Sequence, residues 1–137
     1  MVSVLLALHN LVRWVVIVLA ILALVRAYRG WLSSQAWSSR DRQVGVFFTS
    51  ALDTQMLLGL LLIIFVGFAN LDGFVVHHII PMIVALVIAH IGSTRAQKAP
   101  DDPAKHRMAA LFYSVAVLII MVSIPWGRPL FPGLGGP

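Results

Sequence analysis

Four long apolar stretches, separated by short polar segments, constrain the fold of this sequence more than any other feature. They cover residues 4–25, 46–68, 74–91 and 108–126. An α-helix rises about 1.5 Å per residue, so each stretch can cross a hydrocarbon core of about 30 Å. The sequence therefore predicts an all-α integral membrane protein, built as an up-and-down bundle of four helices.

The composition agrees with a membrane protein and leaves no room for a soluble domain. Hydrophobic residues make up 60% of the chain and charged residues 11%, and the mean hydropathy is +0.94. A soluble domain has about 25% charged residues. The connections, residues 26–45, 69–73 and 92–107, are short. We therefore expect one transmembrane domain over residues 1–137.

The basic residues lie almost entirely around the first and third connections. These two segments hold Arg26, Arg29, Arg40, Arg42, Arg95, Lys98, Lys105 and Arg107. The second connection holds none, and the C-terminal tail holds only Arg128. Because loops rich in Lys and Arg stay in the cytoplasm, we expect both termini on the outer, periplasmic side of a bacterial inner membrane.

Two missing residue types exclude several kinds of site. Without Cys, the chain has no disulfide, no thiolate-bound iron–sulfur cluster and no covalently attached c-type haem. Without Glu, it has neither the metalloprotease helix signature nor a four-Glu di-iron site. The basic residues form no stripe for nucleic acid. We find no nucleophile–base pair and no phosphate-binding glycine loop, so we expect no stand-alone catalysis.

Polar residues inside the spans are the candidate functional residues. An ionisable side chain costs roughly 2.5 to 3.5 kcal/mol at the bilayer centre unless it is paired or hydrated. Counted at 1.5 Å per residue, His9 lies about 7 Å and His78 about 6 Å below the outer edge. The two histidines are therefore expected at the same level, on the first and third spans.

This pair predicts axial ligation of one haem b between spans one and three. Helical bundles commonly hold such groups between facing helices. Arg13, one turn deeper than His9, would then pair with a haem propionate. In the alternative interpretation, His9 and His78 are interfacial histidines that bond headgroups, water or backbone.

The other polar residues at depth allow several arrangements. Arg13 lies about 14 Å from the outer edge and Asp53 about 10 Å from the inner edge, which leaves an axial gap of about 6 Å. The simplest prediction is an ion pair between them. Asp53 and Gln55 could instead form a quinone-head or proton-relay site. His90 is expected at the inner interface, or on a quinone or proton path with Asp53.

Two predictions concern the third connection and the start of the fourth span. His106 lies between Lys105 and Arg107, which predicts a solvated loop residue. Asp102 is expected to cap the fourth helix, with Pro103 in its first position.

The polar residues also fall into short motifs. These are His-Asn-Leu-Val-Arg-Trp from His9, Asp53-Thr54-Gln55 followed by Gly59, His78 followed by Met82, Ala89-His90-Ile91-Gly92, and Ile124-Pro125-Trp126. Over almost the whole chain, this set resembles the short four-span bacterial membrane proteins often catalogued as cytochrome-b-like. The resemblance implies haem and points to His9, Arg13, Asp53, Gln55 and His78. His77 stands where an acidic residue is expected, so a proton-handling role is not carried over to that position.

Two functional hypotheses follow. In the first, the protein is a small b-type cytochrome of an electron-transfer chain that exchanges electrons with quinol or a partner subunit. In the second, it is a haem-free accessory subunit of a larger respiratory or photosynthetic quinol-oxidising complex. A carrier is not expected, because the spans show neither broken helices nor an inverted repeat.

Overall fold

The computed structural model describes residues 1–67, 69, 71, 73 and 75–126. Within these residues the chain is all-helical, with no strand. The elements are α1 (Val2–Leu32), α2 (Ser39–Val66), a π-helical turn (Val75–Ile79), α3 (Ile80–Lys98) and α4 (Asp102–Ser123). The predicted four-helix fold is confirmed. The predicted span ends at Phe68 and Phe74, and the tail with Arg128, lie outside the described residues.

Among the described residues, four helices are long and apolar enough to cross a membrane, as predicted. α1 packs against α2 and α4, and α3 packs closely against α4 and more loosely against α2. α1 and α3 are therefore a diagonal pair. Large aliphatic side chains such as Ile64 and Leu118 point outward, 70% and 66% exposed, which suits a surface that faces lipid.

The helices continue beyond the predicted spans at the end of the bundle that holds the first and third connections. α1 runs to Leu32 and α3 to Lys98, whereas the apolar stretches end at residues 25 and 91. α2 and α4 likewise begin before their apolar stretches. We call residues 26–45 and 92–107 the loop-end region. There the helices carry charged turns that still pack against neighbouring helices.

α2 begins with a reciprocal cap in the loop-end region. The Ser38 side chain accepts a hydrogen bond from the backbone N–H of Asp41 at 3.4 Å. In return, the Asp41 carboxylate accepts from the backbone N–H of Ser38 at 2.9 Å. Asp41 also accepts from Nε of Arg26 at 2.9 Å. One carboxylate therefore caps α2 and ties it to α1.

The cap of α4 differs from the predicted one by one residue. The side chain of Asp101 accepts from the backbone N–H of Ala104 at 2.9 Å. Asp101 has the extended backbone of a cap, with φ −146° and ψ 168°, and Asp102 is already helical. The prediction that Asp102 caps the helix is wrong. With Pro103 in the first position the helix would begin at residue 103, but it begins at Asp102, so the cap falls on Asp101.

His106 is buried inside the loop-end region, with 1% of its surface exposed. Its ring lies where a Cβ on Gly30 would be, and it packs edge-on against Trp37 at a centroid distance of 5.1 Å. Nε2 donates to the carbonyl of Gln35 at 3.1 Å. The prediction of a solvated loop residue is wrong, because position 106 belongs to α4 and faces α1.

Small residues line the helix contacts. Buried alanines occur on α1, α3 and α4, at Ala20, Ala23, Ala27, Ala85, Ala89, Ala96, Ala109, Ala110 and Ala116. Membrane helices associate through close packing, since lipid gives no hydrophobic drive between them, and small side chains permit that approach. The tight bundle leaves its polar side chains at a few defined positions.

The π-helical turn before α3 has a local cause. In an α-helix, each N–H donates to the carbonyl four residues earlier. Pro81 has no N–H, so it cannot donate to the carbonyl of His77. The chain opens into a wider turn just before this proline and carries His77 and His78 on it. π-helical turns often occur at functional sites.

Candidate functional site

A cluster of polar groups lies at the end of the bundle opposite the loop-end region. It contains His9 and Arg13 from α1, Gln55 from α2, His78 from the π-helical turn and the backbone carbonyl of Ser123 from α4. We call these five residues the histidine site. α1, α2, the π-helical turn and α4 each contribute to it.

The two histidine rings lie next to each other, as their equal depth predicts. The centroids of His9 and His78 are 6.4 Å apart, and the ring planes make an angle of 72°. The rings come from α1 and from the segment that leads into α3, which lie diagonally across the bundle. The pair therefore occupies the space between the helices.

The ring of His78 is oriented by the end of α4. Nδ1 of His78 lies 2.9 Å from the carbonyl oxygen of Ser123. A carbonyl only accepts, so Nδ1 is the protonated nitrogen and the neutral ring has its lone pair on Nε2. Histidines that bind metals are oriented in the same way, by donation from the other nitrogen to a carbonyl or carboxylate.

On the opposite side, His9 is held through its backbone. Nε2 of Gln55 donates to the His9 carbonyl at 2.9 Å, and a Cβ on Gly59 would lie 3.5 Å from Cε1 of the His9 ring. Within the described part of the chain, Nδ1 of His9 and Oε1 of Gln55 are buried and have no hydrogen-bond partner. Such atoms are costly in an apolar interior, so the site has capacity for a further ligand.

Arg13 adds positive charge to the same site. Its side chain lies one helical turn beyond His9, and the residue is only 8% exposed. A cation at this depth is stabilised by an anionic group. The site therefore places a cationic side chain next to the two histidines.

Asp53 pairs with His90. This contact replaces the predicted ion pair between Asp53 and Arg13. Nε2 of His90 lies 2.7 Å from Oδ1 of Asp53. Gln55 is two residues further along α2 and points about 200° around the helix, toward His9. Asp53 and Gln55 therefore point to different sides of α2 and do not form the predicted common site. Asp53 and His90, which were the other predicted pairing, are in contact.

The Asp53–His90 pair lies on the outer surface of the bundle. The two side chains are 52% and 47% exposed. Asp53 lies inside the apolar stretch of residues 46–68, about 10 Å from its inner edge. The pair therefore lies on the surface of the apolar part of the bundle, on the loosely packed side between α2 and α3.

The ligand set restricts what the histidine site can hold. Among the described residues, no group of three or more His, Asp, Glu or Cys side chains is placed to hold a metal ion. Zinc sites use three or four protein ligands. Two histidines suit a metal whose other ligands come from a macrocycle, as in haem.

Fold and site together define a multi-pass membrane protein with one four-helix bundle and a two-histidine site between diagonal helices. Comparisons of the chain with protein families, with curated proteins and with solved structures found no match. Its function is therefore inferred from the site.

Proposed function

We propose that this protein is a small component of a membrane electron-transfer chain, with one haem b between α1 and α3 and His9 and His78 as axial ligands. The distribution of Lys and Arg supports an orientation with both termini on the outer side, which is the periplasmic side in the bacterial inner membrane that we propose as its location. The observation that carries the proposal is the approach of the two rings from diagonal helices.

The distance between the rings suits two ligands on opposite sides of one metal ion. A histidine nitrogen binds a transition metal at about 2 Å and its ring centroid lies about 1 Å further back, so two such centroids are about 6 Å apart. The observed separation of His9 and His78 is 6.4 Å.

The surroundings of the rings support the same assignment. The carbonyl of Ser123 keeps the lone pair of His78 on Nε2, and Nδ1 of His9 is buried without a hydrogen-bond partner among the described residues. Arg13 supplies a buried cation that suits a propionate. When bound, a haem with two histidine ligands supplies reversible one-electron transfer.

Quinol is the electron donor that we propose, with the Asp53–His90 pair as its binding position. With Asp53 ionised, Nε2 of His90 donates to it, and Nδ1 remains the acceptor for a hydroxyl group. The pair is half exposed and lies midway along α2. A quinol dissolved in the bilayer can reach this position from the apolar phase.

The same exposed pair favours a second candidate function, a haem-free accessory subunit in a larger complex. A helix of a partner subunit that covered Asp53 and His90 would remove them from lipid, where ionisable groups are costly. Mild detergent extraction would then recover the chain with other subunits at a fixed ratio. Recovery as a free monomer would count against this candidate.

Haem content separates the two candidates. The purified protein, produced with sufficient haem, should show a reduced-minus-oxidised α band and about one haem per chain in a pyridine haemochrome assay. Substoichiometric haem in a folded, monodisperse preparation would contradict the cytochrome proposal and leave the accessory role.

A further inference from the structure

A second polar feature lies far from the histidine site, at the loop-end region. A cavity of about 630 Å³ opens between the end of α1, the end of α3 and the start of α4. The residues that give it its chemistry are Trp31, Arg95, Lys98, Asp101, Arg107 and Met108. Neither the electron-transfer proposal nor the helix packing accounts for it.

The cavity has a marked excess of positive charge. Three of its side chains, Arg95, Lys98 and Arg107, are cationic, and only Asp101 is anionic. The Asp101 carboxylate already accepts from the backbone N–H of Ala104 as the cap of α4. Over the described part of the chain, the three cations form no salt bridge. Their charge is available to a ligand from outside the chain.

The walls of the cavity are fixed by packing. The Arg95 guanidinium lies over the Phe112 ring, 5.6 Å from its centroid, a cation–π contact that restrains the side chain. Phe112 packs so closely on Gly92 that a Cβ there would overlap it. Pro100 and Pro103 form part of the rim and limit backbone motion. Packing therefore restrains Arg95 at the wall of the cavity, while Lys98 and Arg107 are exposed side chains at its edge.

The position of the cavity indicates a ligand that is both anionic and apolar. It lies just beyond the apolar stretches that end at residue 91 and begin at residue 108. Trp31 and Met108 give it an apolar side, and tryptophan is typical of the membrane–water interface. A soluble anion would use the cations but not this apolar side.

We propose that the cavity binds the headgroup of an anionic phospholipid, and that a lipid with two phosphodiesters, such as cardiolipin, fits it best. Basic pockets beside transmembrane helices bind such headgroups. Three cations match two phosphates better than one, and the acyl chains would continue along the apolar surface below Met108. This inference does not depend on haem or quinol.

The test compares lipid binding by two double variants of the full chain. Lys98→Gln/Arg107→Gln removes two cations of the cavity, and Arg29→Gln/Arg40→Gln removes two exposed cations of the loop-end region that do not line it. Each purified protein is titrated with tetraoleoyl cardiolipin in detergent, and binding is measured by native mass spectrometry. We expect the cavity variant to bind about thirtyfold more weakly and the control to bind within about threefold of wild type.

Phosphatidylcholine and inorganic phosphate are the comparison ligands, and thermal unfolding without added lipid checks that both variants are folded. Preference for cardiolipin that is lost only in the cavity variant supports the proposal. Equal weakening in the two variants would overturn it in favour of general surface charge. Stabilisation by inorganic phosphate equal to that by cardiolipin would overturn it in favour of a soluble anion.

Discussion

The two ends of the bundle use histidines in different ways. In the loop-end region, His106 is enclosed by Gly30, Trp37 and the carbonyl of Gln35. At the opposite end, His9 and His78 face each other across the bundle. The first arrangement closes a helix contact, whereas the second leaves two rings side by side between diagonal helices, 6.4 Å apart.

The surrounding contacts differ in the same sense. The loop-end region is joined by the Arg26–Asp41 salt bridge and by caps at both helix starts. The histidine site has a buried Arg13 and buried polar atoms of His9 and Gln55 that lack partners within the described residues. Nδ1 of His106 in the loop-end region is also buried without a partner among the described residues. The two ends therefore differ in their salt bridge and caps, in the buried Arg13 and in the number of such polar atoms, rather than in their presence.

The largest expected effect is the loss of haem from the histidine site. His9→Ala and His78→Ala each remove one axial ligand, so purified variants should retain less than about a tenth of the wild-type haem. The measurement is haem per chain by pyridine haemochrome assay. His77→Ala is the matched control, since His77 is adjacent to His78 but exposed.

His77→Ala should keep wild-type haem content. Equal haem in all three variants would contradict the ligand assignment. An equal loss in all three would contradict it as well, since the effect would then belong to the π-helical turn and not to the ring of His78.

We also expect a substitution of Asp53 to have a large effect on the rate of electron transfer, but not on haem binding. Asp53→Asn removes the anion that orients His90, and we expect haem reduction by quinol to slow about tenfold or more, as general-base contributions suggest. The rate is followed at the α band in proteoliposomes. Thr54→Val, an exposed neighbour, is the control. Unchanged rates in Asp53→Asn would reject the quinol site but leave haem binding intact.

The two ends should respond differently to one added methyl group. In Gly30→Ala the new Cβ would overlap the ring of His106, so we expect a loss of about 1–3 kcal/mol from overpacking. In Gly59→Ala the new Cβ would lie 3.5 Å from His9 Cε1, an ordinary contact. Thermal unfolding in detergent should show a lowered Tm for the first variant only. The reverse order would contradict the comparison.

The smallest effect concerns the cap of α2. Ser38→Ala removes the side chain that accepts from the Asp41 backbone, and caps of this type contribute about 1 kcal/mol. We expect a small decrease in Tm and unchanged haem content. Ser39→Ala is the control, because Ser39 is exposed and already inside the helix. A decrease of the same size in both variants would argue against the capping role.

The number of helices could be predicted because the apolar length of each span follows directly from bilayer thickness. The helix ends could not, since hydropathy measures transfer into lipid and not packing against other helices. For this reason α1 and α3 reach Leu32 and Lys98 although their apolar stretches stop earlier.

The candidate site was partly predictable for a similar reason. Depth along a helix follows from residue number, which brought His9 and His78 to one level. The rotation of α2 decides whether Asp53 meets α1 or α3, and the sequence alone does not define it. His106 has charged neighbours in sequence, so its contact with Gly30 could not be predicted. Ser123 contributes a backbone carbonyl, a group that every residue possesses, so its role could not be predicted either.

The most direct test of the account is electron paramagnetic resonance of the oxidised, purified protein. Two histidine ligands to one ferric haem would give a low-spin signal. In His78→Ala this signal should disappear or be replaced by a high-spin one. A high-spin signal in the wild-type protein, or no haem signal after haem has been supplied, would contradict the assignment of His9 and His78 as the ligands.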